Sequence, residues 1–306
     1  MATVVGASTG AIDVKSTVDQ LIELEMVKRI DPIDKKLTAR QSSVSALSSL
    51  KALSSNLQDS LDGLADKKQF TVSSTLTAEQ ALANLSAAAQ SFVTNFNALQ
   101  AGVVKYGTVD LADPTRDTAS KVALLGDSAL SELRQLMRSG YSSGLTYTNN
   151  LSNRADKTSV INFADLGISR KIDGTLGFSK AAFTKSAESV TTGLPTATDP
   201  KGSLADTAYA QPKLLDRFAT GTASALKTNL AKAGSTIVGT FDARTAQYNN
   251  QLYTLRNKRV SESSKIESER ARLLKTYSQL NSLLANMSST SNFLTAQLAS
   301  LSKNNN

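Results

Sequence analysis

From Leu273 onward, intervals of four and three alternate without a slip through Leu273, Tyr277, Leu280, Leu284, Met287, Ser291, Leu294, Leu298 and Leu301. All but Ser291 are apolar or aromatic. A repeat averaging 3.5 residues keeps one stripe of an α-helix turned toward a partner helix. Upstream, Ile237, Phe241, Tyr248, Leu252, Leu255, Arg259, Glu262 and Ile266 hold helical spacing as well. A continuous helix from Ile237 to Leu301 would be roughly 95 Å long at 1.5 Å per residue. A compact chain of this size has a radius of gyration of only about 19 Å. Such a helix must protrude, and its seam must find other helices.

The matching seams lie at the other end of the chain. A short helix is expected from Ser16, read as its N-cap, through Val18, Leu21, Ile22 and Glu25 to about Arg29. Asp31-Pro32 opens a second, with Asp31 as cap and Pro32 at the first helical position. It runs to about Lys67, with Leu50, Leu57 and Leu64 seven apart and Leu47 and Leu61 two heptads apart. Thr77 with Gln80 reads as a capping box before a third helix carrying Leu82, Leu85, Ala89, Phe92, Phe96, Leu99 and Val103. Asp127 is read as the cap of a helix with Leu130, Leu133, Leu136 and Met137. Asp173-Gly174, between Ile168, Ile172, Leu176 and Phe178, marks a small hairpin.

The expected fold is mainly α. The long N- and C-terminal helices pair as a coiled-coil stalk, and a helical central domain between them carries a small β-hairpin. Residues 1–30 and 271–306 form the two parts of a leg, the first beginning with a disordered start. Residues 31–270 form the central helical bundle, with a β element near 141–178 and a loop at 191–212.

Composition removes most chemistry. The chain has no His, no Cys and no Trp, so a Ser-His-Asp triad, a Cys-His pair, a His or Cys zinc site and any disulfide are excluded. Asp110, Asp113 and Asp117 lack the calcium-loop spacing, glycine and terminal Glu of an EF-hand. No phosphate-binding glycine motif occurs, and no cofactor is indicated. The net charge of +8 is scattered, which reads as a solvated surface rather than a nucleic-acid footprint. No run of about 18 apolar residues exists to span a membrane. Met1 to Gly10 lacks the features of a cleavable signal peptide.

An ordered set of short motifs resembles hook-associated protein 2, the filament-cap family of the bacterial flagellum. It begins with Thr9-Gly10-Ala11-Ile12-Asp13-Val14 and Val18-Asp19-Gln20-Leu21-Ile22, and continues with Ser45-Ala46-Leu47, Leu50-Lys51 and Leu53. Phe92-Val93 with Phe96-Asn97-Ala98-Leu99 is similar to the family's FV-x-x-YN-x-L helix, with Phe96 in place of Tyr. Leu124-Leu125-Gly126-Asp127, then Leu166-Gly167-Ile168 and Asp173-Gly174-Thr175-Leu176, resemble its LLGD segment and hairpin. Tyr277, Leu280, Met287, Phe293-Leu294 and Leu298 fit its terminal helix. The family's usual inserted β-rich domains are missing, since only Lys68 to Leu76 spans their place. This resembles a minimal cap.

The resemblance implies an extracellular, non-enzymatic assembly factor, exported without a cleavable signal by the flagellar type III apparatus. It implies a homo-oligomeric ring at the filament tip that promotes flagellin insertion and folding and prevents flagellin loss. Flagellin, the hook–filament junction protein and an export chaperone at the C-terminal helix are the implied partners; nucleic acid and membrane insertion are not. Val18, Leu21, Ile22, Leu284, Met287, Leu294, Leu298 and Leu301 are the candidates for leg packing and filament contact. The residues alone leave open whether they pack within the chain or touch the filament. Leu47, Leu50, Leu57, Phe92, Phe96, Leu99, Leu252 and Leu255 are expected in the central core. An extracellular adhesin, or another axial protein such as flagellin or the junction protein, is the alternative.

Overall fold

The computed structural model describes residues 13–108, 123–142, 145–148, 158–188 and 225–303. The expected disordered start, the aspartates at 110, 113 and 117 and the loop at 191–212 lie outside these residues. Two compact units result, one from Met1–Arg40 with Asn250–Asn306 and the other from Gln41–Asn249.

In the first unit, helix α1 spans Val14–Arg29. Its N-cap is Asp13, whose Oδ1 accepts from the Ser16 backbone N–H at 3.1 Å. The sequence alone points to Ser16 as the cap. A carboxylate three residues earlier satisfies an orphan N–H and also meets the positive end of the helix dipole, so the helix starts there. Ile30 then stays in the right-handed region and donates its N–H to the Met26 carbonyl. Helix α2, Asp31–Ala65, follows at once. The Ile30 carbonyl accepts from the N–H groups of Ile33 and Asp34, both at 2.9 Å. Ile30 therefore caps α2, and Asp31 moves from the expected cap into the acidic first turn. Pro32 still sits where its missing N–H costs nothing.

The long C-terminal helix is continuous from Ala225 to Lys303; it follows helix α4 (Ser128–Ser142) and helix α5 (Lys180–Glu188) and is α6. Helices α2 and α6 contribute residues to both units. Within the first unit, Val18, Ile22 and Ile30 bury against Ile266, with Val14, Leu273, Leu274 and Tyr277 packed beside them. The two chain ends thus pair, as the seams require.

The second unit is built around helix α3, Ala78–Gly107. Its capping box is complete: the Gln80 N–H donates to Thr77 Oγ1 at 3.2 Å, and the Thr77 N–H donates to Gln80 Oε1 at 2.9 Å. One face of α3 packs on α2, where Leu47, Leu50, Leu57, Leu61 and Leu64 join Leu85, Phe92, Phe96, Leu99 and Val103 in one buried cluster. The helices approach closely at Gly102, where a Cβ would come within 2.8 Å of Leu53 Cδ1. Phe92 stacks on Phe163 with ring centroids 5.2 Å apart. With no Trp and few rings, this pair fills volume that leucines alone would leave open.

Strands β1 (Leu145–Thr148) and β2 (Thr158–Ile161) pair antiparallel. Strands β3 (Ile168–Arg170) and β4 (Leu176–Phe178) do so too, with Ile168 opposite Phe178. The second pair is the hairpin expected at Asp173-Gly174, where Gly174 takes φ +84°, open to glycine at no steric cost. The first pair is an addition that the sequence reading did not separate. Asn97 fastens the β3–β4 hairpin to α3. Its Nδ2 donates to the Leu176 carbonyl and its Oδ1 accepts from the Leu176 N–H, both at 2.8 Å.

Candidate assembly surface

No described group of three or more acidic, His or Cys side chains is placed to hold a metal ion. No described helix is long and apolar enough to cross a membrane. What the first unit offers instead is a helical surface whose character changes along α6.

Charge sets the register of its paired part. Arg259 Nε donates to Asp34 Oδ1 at 2.6 Å, Arg29 reaches Glu269 at 3.4 Å, and Arg270 reaches Asp19 at 2.8 Å. Residue numbers fall along one side as they rise along the other, so α1 runs antiparallel to this part of α6. The Asp34 and Asp19 carboxylates, by accepting these hydrogen bonds, hold the Arg259 and Arg270 guanidiniums above their usual value. A hydrogen bond from Lys265, 2.8 Å away, lowers Glu262. Pairs so exposed add little stability, but mismatched charges would oppose any slipped register. Glu262/Lys265, Glu267/Arg270 and Glu269/Arg272 stand three residues apart on α6, and of these Lys265–Glu262 and Arg272–Glu269 form ion pairs. Arg270 turns to Asp19 instead, because the facing helix puts a carboxylate within its reach.

The sequence-predicted leg residues divide along the helix. Val18 and Ile22 are buried in the α1–α6 pair, while Leu21 and Leu284 are half-buried. Met287, Leu294 and Leu298 are exposed, at 61%, 53% and 67%. The Leu301 side chain lies outside the described ones. Of the predicted core, Leu47, Leu50, Leu57, Phe92, Phe96 and Leu99 are buried in the second unit. Leu252 is buried and Leu255 half-buried on the part of α6 that belongs to the first unit.

Other residues of this surface stand outside the predicted leg and core sets. Ile30 and Ile266 complete the paired core. Leu280, Leu283 and Phe293 share the exposure of the seam beyond it, and Leu24, Met26 and Val27 are exposed on α1. A further signal was present in the sequence: nine of the residues from Lys258 to Lys275 are charged, whereas Thr276 to Ser302 holds no Asp, Glu, Lys or Arg. The paired stretch is therefore written in charge and apolar contact together. The exposed stretch keeps the apolar seam and surrounds it with Ser, Thr, Asn and Gln. A seam of that kind can associate by burying apolar area, at roughly 25 cal/mol per Å².

A family model described as "Flagellar hook-associated protein 2 C-terminus" matches residues 53–289. That span holds α2 from Leu53 onward, all of α3, α4 and α5, the β3–β4 hairpin and α6 through Ser289. No curated protein and no solved structure matches the chain.

Proposed function

This chain belongs to the flagellar hook-associated protein 2 family, and from that premise we propose that it caps the flagellar filament. In this reading it assembles as a closed homo-oligomeric ring at the extracellular filament tip, promotes the insertion and folding of arriving flagellin, and prevents flagellin loss. It acts by binding and positioning, not by catalysis. The hook–filament junction protein is its first platform, flagellin its client, and an export chaperone covers the C-terminal helix before assembly. Export uses the flagellar type III route.

The observation that carries the reading is the uncharged, exposed seam of α6 from Leu280 to Leu298, continuing a stretch already paired with α1. An exposed apolar stripe of this length marks a surface that another chain covers. Helical contact with filament subunits would supply that cover. Leg packing and filament contact are assigned accordingly to Val18, Leu21, Ile22, Leu284, Met287, Leu294, Leu298 and Leu301. Val18 and Ile22, buried in the α1–α6 pair, order the leg, and the exposed Met287, Leu294 and Leu298 meet the filament.

Loss of the gene tests this directly. Cells without it should make hooks that bear no filament and should release flagellin monomer into the medium. Filaments of ordinary length on such cells would refute the cap assignment.

A further inference from the structure

The chain has four methionines and no cysteine. Thioether sulfur is therefore the group most open to oxidation by a peroxide. The three methionines among the described side chains stand in different surroundings. Met137 is 5% exposed, in the core of the second unit. Met26 is 47% exposed on α1, and Met287 is 61% exposed on α6.

Met287 differs from the other two in what it belongs to. It occupies a seam position between Leu284 and Leu294, on the stripe that also carries Leu280 and Leu298. Leucine has no atom that a peroxide attacks, so the oxidisable atom of this stretch of seam is the Met287 sulfur. One helical turn to either side stand Leu283, Leu284, Thr290 and Ser291, so no ring of its own helix lies against the sulfur to shield it. The surroundings also lack charge, since Thr276 to Ser302 holds no Asp, Glu, Lys or Arg. The Thr290 hydroxyl already donates to the Asn286 carbonyl at 2.9 Å. A sulfoxide oxygen on Met287 would be a strong acceptor in a stretch with no cationic donor to meet it. Burying that oxygen in an apolar contact costs free energy that burying the thioether does not.

We propose that Met287 is a modification site at which a peroxide oxidant switches off the leg. The sulfur attacks one peroxide oxygen. The O–O bond breaks, the S–O bond forms, and the other oxygen leaves as water. Sulfur gives up two electrons and the peroxide takes them. Methionine sulfoxide reductase reverses the change. The sulfur is open in the free subunit and is covered once another chain lies on the seam, so the switch acts before assembly. The proposal rests on the filament-contact reading given above. Met287 belongs to neither buried cluster, so the modification reaches association and leaves folding alone.

The test treats the full chain with hydrogen peroxide, locates the added oxygen by peptide mass spectrometry, and supplies the protein to cells that lack the gene. Met26 and Met287 should gain oxygen well before Met137, and the urea midpoint should not move. The amount of protein needed to restore filaments should rise at least ~10-fold, about 1.4 kcal/mol at the contact, and treatment with the reductase should bring it back. Met26→Leu and Met287→Leu separate the two exposed sites, each compared with its own untreated sample. Peroxide should still inactivate Met26→Leu and should not change Met287→Leu. Met287→Gln, which sets a polar oxygen at the position without any oxidant, should show the loss untreated. Equal inactivation of Met287→Leu by peroxide would place the sensitive group elsewhere and overturn the assignment. Full activity in protein whose Met287 is completely converted, or in Met287→Gln, would overturn it too. Untreated parent chain that restores no filaments would sink the filament reading itself and the switch with it, a result told apart by the arm that contains no peroxide.

Discussion

Asp127 joins two helices through one carboxylate. Its Oδ1 accepts from the Ala129 N–H at 2.9 Å, which caps α4, and lies 3.3 Å from Arg244 Nε. Its Oδ2 accepts from the Tyr248 hydroxyl at 2.5 Å. The capping role was legible in the sequence, because Asp before a Leu-periodic run is a local signal. The partners were not, since they lie more than a hundred residues away and no local pattern encodes them. Removing a buried carboxylate leaves three donors unmatched, so Asp127→Ala should cost about 3 kcal/mol. Tyr248→Phe removes one donor and should cost about 1 kcal/mol. Urea unfolding followed by circular dichroism checks both; equal, small losses would show that the cluster is not closed in solution. The hairpin turn offers a pH-dependent counterpart. Hydrogen bonds from the Thr175 hydroxyl and N–H, at 2.6 and 2.9 Å, hold Asp173 below the usual carboxylate value, with Lys171 adding to the effect. A depressed folded-state value means that the turn's contribution is complete above the ordinary carboxylate pKa of about 3.9 and fades as pH falls through the folded value. The Thr175 amide resonance should therefore be flat above about pH 5 and move only in acid. A midpoint above the ordinary value would contradict the assignment.

Helix α6 shows what periodicity reveals and what it hides. The 4–3 alternation correctly marks one face of a helix from Leu273 to Leu301, and the structure is helical through Lys303. The same alternation runs through half-buried Leu273 and Tyr277 into exposed Met287, Leu294 and Leu298 without a break. Period reports which side chains share a face. It does not report whether another helix is there to meet them, and for that the change in charge content at Thr276 is the better marker. The distinction yields opposite mutational outcomes. Ile266 is 3% exposed, so Ile266→Ala should destabilise the first unit by about 2–4 kcal/mol. Leu294→Asp should leave unfolding within about 0.5 kcal/mol of the parent, yet abolish filament growth when the protein is supplied to cells lacking it. Association through the exposed stretch should also be nearly indifferent to salt. Between about 50 mM and 500 mM NaCl, screening weakens exposed ion pairs, but Thr276 to Ser302 has none to weaken. A steep salt dependence in binding of that segment to flagellin would place the contact elsewhere.

At the scale of the molecule, pairing of the two chain ends was readable because only seams of like period can cover one another. The N-terminal cap positions were each displaced, to Asp13 and Ile30, because several residues near a helix start can satisfy the same N–H groups. The added β1–β2 pair escaped because four-residue strands carry too little alternation to stand out. Every residue of the larger cluster lies between Val44 and Tyr248, and the smaller cluster ends at Tyr277. Deleting Ser278 to Asn306 therefore removes no residue of either cluster, while it takes away Met287, Leu294 and Leu298. The truncated protein should unfold cooperatively, with a urea midpoint close to that of the full chain. Cells carrying only the truncation should nevertheless form hooks without filaments, because in the proposed reading the surface lost is the one that filament subunits cover. Normal filaments from this variant would show that the terminal seam is dispensable. Loss of the folded state would show instead that the seam belongs to the subunit's own core. Only a stable subunit that fails to build a filament agrees with a leg whose final turns remain exposed until assembly, where another chain's apolar surface offsets the cost of ordering them.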